Sequence, residues 1–387
     1  MVISILTLDM FRSVRFAHRH MISKLSDTSL NAFYYTRKTD AYDHSVWNDV
    51  TVSKAVRAVP GSLEEQPLFL SIDDTMVENS GKHFELCSKL YDHAAHNGSN
   101  YLNRHCMVSL LLSFPVYQDG KIRYLSVPVG YRLWDKEKSK LALAAELAAQ
   151  AMKTIGPERQ VILLCDSWYP KAEVTALVEP FENLEMVCNA RVDTALYGLP
   201  PAKTGKRGHP RKREERIALD EIILSEPETG DWLIGMMPVI TNLWKDKVVY
   251  ALVTAPKNGK GSCRLFLCTA DPRTISFDWK NNADKTTYSY GAENVFYLLL
   301  AWYGLRWNIE VSYYEGKTFW FMEEYRIRSK EGIERLINLI RLSYSAMTLL
   351  PYFLYNIMMT TYFVCFKENC TFRTISFKER QGGIASK

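Results

Sequence analysis

Tyr303, Arg306, Glu310 and Lys317 set one carboxylate among two cations and a phenol, at intervals of three, four and seven residues. The run that carries them, AENVFYLLLAWYGLRWNIEVSYYEGKTFWF, reads as helix, and those steps bring all four side chains to one face over about four turns. The mixture suits phosphate chemistry better than packing. A carboxylate holds a hard divalent cation, while a guanidinium and an ammonium hold phosphate oxygens.

Two further acids stand where strands run out. PLFLSIDDT is a short apolar run entering Asp73 and Asp74, and RQVILLCDSWYP repeats the design with Asp166, followed by Pro170, where a helix can start. Two aspartates at strand ends and a glutamate on a later helix are the parts needed to hold two Mg²⁺ ions. One such ion acidifies an attacking water or 3′-hydroxyl, and the other steadies the leaving oxygen. Each acid alone has a plainer explanation: a capped turn at Asp73-Asp74-Thr75, a helix cap at Asp166, a solvated helix charge at Glu310.

The elements that must position them follow from the pattern. After PLFLSIDDT come two strand-like runs, RHCMVSLLLSFPVY and KIRYLSVPVGYRLW, joined at Asp119-Gly120, a hairpin signal. KSKLALAAELAAQAMKTIG is strongly helical and ends at Gly156-Pro157. RQVILLC and ENLEMVCNAR supply further central strands. Three hairpin-linked strands, then strand, helix and strand, predict a mixed α/β sheet with the first and fourth strands side by side. Asp73 and Asp166 would then share a carboxyl edge, where ligands of open α/β sheets bind. WLIGMMPVITNLW, KVVYALVTA and CRLFLCTA read as strands of an inserted β-rich subdomain, after which helices return.

With these residues in place, the chain resembles the insertion-sequence DDE transposases defined by a Tyr-x2-Arg-x3-Glu-x6-Lys signature, which Tyr303, Arg306, Glu310 and Lys317 match without a gap. Asp73-Asp74-Thr75 and LLCDSWY fit that family's first and second aspartates, and the long β-rich interval before the glutamate is also similar. The resemblance covers about residues 65 to 350. It implies a ribonuclease H-like mixed sheet flanked by helices, with Asp73, Asp166 and Glu310 as catalytic metal ligands. Mg²⁺ would be the cofactor, with Mn²⁺ as substitute. Arg306 and Lys317 would meet DNA phosphates, and Tyr303 would lie beside them. Asp74 is the alternative to Asp73; the Asp-x-Thr pattern favours Asp73, and Asp74 points to the other face of the strand. The partners implied are the element's terminal repeats and target DNA, bound by a dimer.

The boundaries expected are a helical N-terminal region at 1–62, core at 63–191, β-rich insertion at 192–290, core helices at 291–370 and a tail at 371–387. The first region mixes basic and aromatic residues, which suits a DNA-reading module or an ordinary helical cap. It is short for a full end-recognition domain, which leaves room for a longer natural start. A second basic feature, KTGKRGHPRKREER at 203–216, contains Lys206, Arg207, Arg211, Lys212 and Arg213; its Gly and Pro residues make it a loop that can track a DNA backbone. Trp232 and Trp244 are candidates to hold a flipped base, with core packing as the plainer alternative.

The 387 residues carry a formal charge of +5, which permits a polyanionic partner without demanding one. Eight cysteines without CxxC pairs predict reduced thiols in a cytosol, and neither His93 with His96 nor Cys263 with Cys268 has a second pair at zinc-ligand spacing. Residues 342–366 carry no formal charge and are long enough to span a bilayer, yet Asn356, Pro351 and scattered tyrosines favour a buried helical pair broken at Pro351. The expectation is a cytoplasmic bacterial transposase without a membrane span. A ribonuclease H-like nuclease lacking strand transfer and a non-catalytic DNA-binding remnant are the alternatives.

Overall fold

The computed structural model describes residues 14–35, 43–78, 84–91, 101–118, 120–201, 212–222, 224, 232–245, 247–259, 261–275 and 295–353. Its centre is one 11-stranded mixed sheet. Strand β1 (Leu68–Glu78) lies between β3 (Tyr101–Gln118), antiparallel to it, and β5 (Val161–Cys165), parallel to it. The far side of β3 pairs with β2 (Ser88–Tyr91) and β4 (Lys121–Leu133), and β5 continues in parallel to β6 (Leu184–Ala190). The first and fourth of the expected strands are therefore neighbours, as a ribonuclease H-like sheet requires. The β3–β4 hairpin closes through Gly120 at φ +71°, a conformation glycine adopts without a Cβ penalty. β2 is absent from the strands read in the sequence, because its four residues carry no periodicity long enough to reveal it.

The β-rich segment expected as an insertion continues this sheet. β11 (Arg264–Cys268) pairs antiparallel with β6, followed by β10 (Val248–Pro256), β9 (Trp232–Thr241) and the two-residue strands β7 (Leu196–Tyr197) and β8 (Arg216–Ile217). The edge of β6 offers unpaired backbone groups, and β11 satisfies them.

Alternation along β1 divides the core. Leu68, Leu70 and Ile72 pack on one side with helix α2 (Lys140–Ile155), and α1 (His44–Arg57) lies against α2. Phe69 faces the other way, toward α3 (Val295–Gly304), where its ring lies 6.5 Å from that of Trp302. Ser139 caps α2 by accepting from the Ala142 amide, and Gly156 ends it at φ +83°.

The helix expected to carry all four signature residues on one face is broken. α3 stops at Gly304 and α4 (Trp307–Phe319) starts three residues later. Between them the amides of Leu305, Arg306, Asn308 and Ile309 bond three residues back instead of four. Gly304 weakens the helix at that point, and the tighter turn redirects Arg306.

Helix α5 (Lys330–Phe353) runs through Pro351 in its last turn and is not broken there. No helix among the described residues is long and apolar enough to cross a membrane, and residues 354–366 of the uncharged stretch lie outside them. The N-terminal region supplies short helical pieces at Val14–Ala17, Ser23–Leu25 and Leu30–Tyr35 before α1.

Candidate active site

Asp73 does not end its strand. β1 runs on to Glu78, but its pairing with β5 stops at Ser71 opposite Leu164, and β5 itself stops at Cys165. Asp73 therefore sits where β1 loses one neighbour, beside the carboxyl end of β5 and Asp166. The Asp166 carboxylate accepts from the Trp168 amide at 3.0 Å, which fixes the tight turn after the strand.

Glu310 reaches this edge from the first turn of α4, where the helix dipole favours a carboxylate. The helix is fastened by Tyr313, whose hydroxyl lies 2.6 Å from Ser109 Oγ, and Ser109 is the residue paired with Asp73 across β1 and β3. Ile309 and Tyr313 pack with Met107 and Leu111 of β3. Lys317, expected at a DNA phosphate, donates to the Met76 carbonyl of β1 at 2.6 Å and pairs with Glu323 at 3.2 Å. It ties the same helix to the strand that carries Asp73.

Arg306 links the acids. Its Nη1 donates to Asp73 Oδ2 at 2.9 Å and its Nη2 to Glu310 Oε1 at 3.2 Å. Burial pushes the Asp73 carboxyl up to about 8; Arg306 opposes the shift, and the nearby charges of Asp166, Glu310 and Asp74 add to it. Asp166 and Glu310 thus lie close enough to Asp73 to be felt electrostatically, so the two strands and α4 gather three acids at one edge. Burial also opposes the Arg306 charge, but attraction to Asp73, Tyr303, Glu310 and Asp166 outweighs it. Tyr303 packs edge-on to Phe266 at 4.9 Å and bonds to Arg306; burial raises its phenol to about 12.

An all-oxygen set of three acids suits a hard divalent cation. As the side chains stand, no group of three or more His, Cys, Asp or Glu among the described residues closes on one point. The Arg306 guanidinium bridges two of the three and holds a positive charge where a cation would compete for the same oxygens.

Asp74 has different company. Its carboxylate accepts from Lys140 Nζ at 2.9 Å, Tyr169 Oη at 3.1 Å and Cys106 Sγ at 3.1 Å, on the α2 side of the sheet. Sequence reading did not single out Lys140, Tyr169, Ser109 or Tyr313. Their partners lie 66 to 204 residues away, and only the register of the sheet brings them together.

The remaining expected contacts are scattered. Arg213 stacks on Tyr197 at 3.8 Å and donates to Asn242, and Lys212 is exposed; Lys206, Arg207 and Arg211 lie outside the described residues, as do His93 and His96. Trp244 is buried, so core packing accounts for it, and Trp232 is half-exposed at the start of β9. The exposed aromatics nearest the three acids in sequence are Trp168, two residues after Asp166, and Trp307 and Tyr314 on α4.

The family described as DDE superfamily endonuclease matches residues 32–233, more than half of the chain. The matched residues include Asp73 and Asp166 and end before Arg306 and Glu310. No curated protein matches the chain.

Proposed function

We propose that this chain, which belongs to the DDE superfamily endonucleases and hence to the metal-dependent nucleases, is a DNA transposase of the Tyr-Arg-Glu-Lys signature subgroup. It cleaves DNA at the ends of an insertion element and joins the freed 3′-hydroxyl to target DNA. The observation that carries this reading is the gathering of Asp73, Asp166 and Glu310 around Arg306 at one sheet edge.

In this mechanism Asp73, Asp166 and Glu310 would hold the divalent cation, Mg²⁺ with Mn²⁺ as substitute. When bound, it acidifies the attacking water or 3′-hydroxyl and neutralises charge on the reacting phosphate. The chain's own part is positioning. Arg306 is held, largely buried, between acid and phenol, and it passes from the carboxylates to a phosphate oxygen as DNA arrives. Tyr303 keeps the guanidinium on this side of the sheet. Lys317 and Tyr313 fix α4, and so Glu310, against β1 and β3. Asp74 serves as the anchor of Lys140 and Tyr169.

The basic segment at 203–216 supplies further phosphate contacts through Lys206, Arg207, Arg211, Lys212 and Arg213. Two ends must be joined together, so a dimer on DNA is the working unit, in the bacterial cytoplasm. The test is a joining assay in Mg²⁺, using DNA that ends in the inverted repeats flanking the coding region. Cleavage followed by insertion into a target plasmid supports a transposase; cleavage without insertion reduces the protein to a nuclease.

A further inference from the structure

The flank of the site away from α4 is unused by this mechanism. There the turn after Asp166 presents Trp168, 41 % exposed, with its backbone amide on the Asp166 carboxylate and its ring edge-on to buried Tyr169 at 5.0 Å. Lys140 stands between the Trp168 indole and a second one, its Nζ 5.3 Å from the Trp168 ring centre and 5.2 Å from that of half-buried Trp134. The charge of Lys140 is matched by Asp74. Two exposed lysines complete the cluster: Lys171 lies 4.2 Å over Trp168 and Lys136 5.8 Å over Trp134.

Aromatic planes interleaved with exposed cations are the chemistry that holds single-stranded nucleic acid: bases stack on the rings and phosphates take the charges. The position adds a constraint. A strand end reacting at the cation that Asp166 would help to hold has its neighbouring nucleotide close to a side chain only two residues along the chain, one that faces solvent.

We infer that Trp168, with Trp134 behind it and Lys171 and Lys136 at its rim, is a stacking platform for an unpaired base of the DNA strand end held at Asp166. The base takes the ring face that Lys171 covers, and Lys171 moves to the adjoining phosphate. The inference rests on the reading of DNA as substrate and adds which base-binding surface the strand end uses.

The experiment measures binding of the full chain, with Ca²⁺ in place of Mg²⁺, to a blunt duplex ending in the flanking inverted repeat and to the same duplex with a short unpaired tail. Each tail base is replaced in turn by an abasic site. Trp168→Ala is expected to weaken the tailed duplex by roughly 5- to 150-fold and leave the blunt one nearly unchanged. Trp168→Phe keeps most of the affinity, and Trp168→Leu, apolar but without a ring, loses it as alanine does. One abasic position should weaken the unaltered protein by a similar factor and cost Trp168→Ala nothing more. Equal binding by Trp168→Ala, or losses that multiply at every abasic position, would overturn the platform while leaving the transposase reading intact. If the unaltered protein binds neither duplex, the transposase reading fails and the platform with it. The abasic scan needs no variant, so it decides the matter even if a substitution impairs folding.

Discussion

Arg306 donates to Asp73 across 2.9 Å, and the same guanidinium reaches Glu310 on the next turn of chain. One cation thus serves two acids whose neighbours repel them. The pair joins the sheet to the start of the helix that follows, and with the Lys317–Met76 bond it holds β1 and α4 together at the site.

That link predicts competition. Arg306→Ala removes the resident positive charge, and the free protein should bind Mn²⁺ more tightly by isothermal titration. DNA cleavage should fall by roughly 10²-fold, because the phosphate loses its fork. Unchanged Mn²⁺ affinity would mean that the guanidinium does not stand in the cation's way.

Asp73 and Asp74 are adjacent in sequence and keep different company, Arg306 on one side of the sheet and Lys140 on the other. Asp73→Asn should abolish cleavage with the fold retained. Asp74→Ala should instead lower stability by about 3 kcal/mol, since it strands Lys140 among apolar and aromatic neighbours. Urea unfolding alongside a cleavage assay separates them. If Asp73→Asn cuts normally while Asp74→Asn is dead, the assignment is reversed.

Much of this architecture was legible because it is local. Alternation in PLFLSIDDT and the apolar run RQVILLC gave two strands, and hairpin spacing placed them as neighbours with their acids at one edge. The Asp-Gly step gave the β3–β4 turn. What was not legible depends on pairing between distant segments. Nothing in CRLFLCTA says that β11 will seal the edge of β6. The break at Gly304 was hidden by the strong apolar periodicity around it. Lys317 reads as a free cation until β1 is known to present the Met76 carbonyl beside it.

His105 carries the pH dependence that is easiest to isolate from the site. Its Nε2 lies 2.8 Å from the Glu85 carbonyl, which can only accept, so Nε2 holds the proton and Nδ1 accepts from the Tyr325 hydroxyl at 2.6 Å. Burial lowers its pKa below the ordinary 6.5, with the Glu85 bond opposing. The unfolded chain therefore takes up a proton before the folded one does. The stability this contributes is full above about 6.5 and is lost as pH falls through the lower folded value. His105→Gln should flatten the decline in urea midpoint between about pH 7.5 and 5.5. An unchanged slope would assign the decline to other groups.

Lys317 offers a separation of structure from substrate contact. Lys317→Met should cost about 1.5 kcal/mol in urea unfolding through loss of the Met76 bond. Cleavage should fall through a slower chemical step, with DNA affinity changed little, because the residue positions Glu310. A large loss of DNA affinity with full stability would instead make it a direct phosphate contact.

The three acids acting as one set is the central claim, and Glu310 is its most exposed part, since the family match ends before it. The direct measurement is single-turnover cleavage in Mg²⁺ of a duplex carrying the flanking inverted repeats, comparing the unaltered protein with Glu310→Gln at saturating enzyme. DNA binding should stay within a few-fold of the unaltered protein's, and cleavage should fall by at least roughly 10³-fold. Cleavage by Glu310→Gln at the unaltered rate would contradict the central claim.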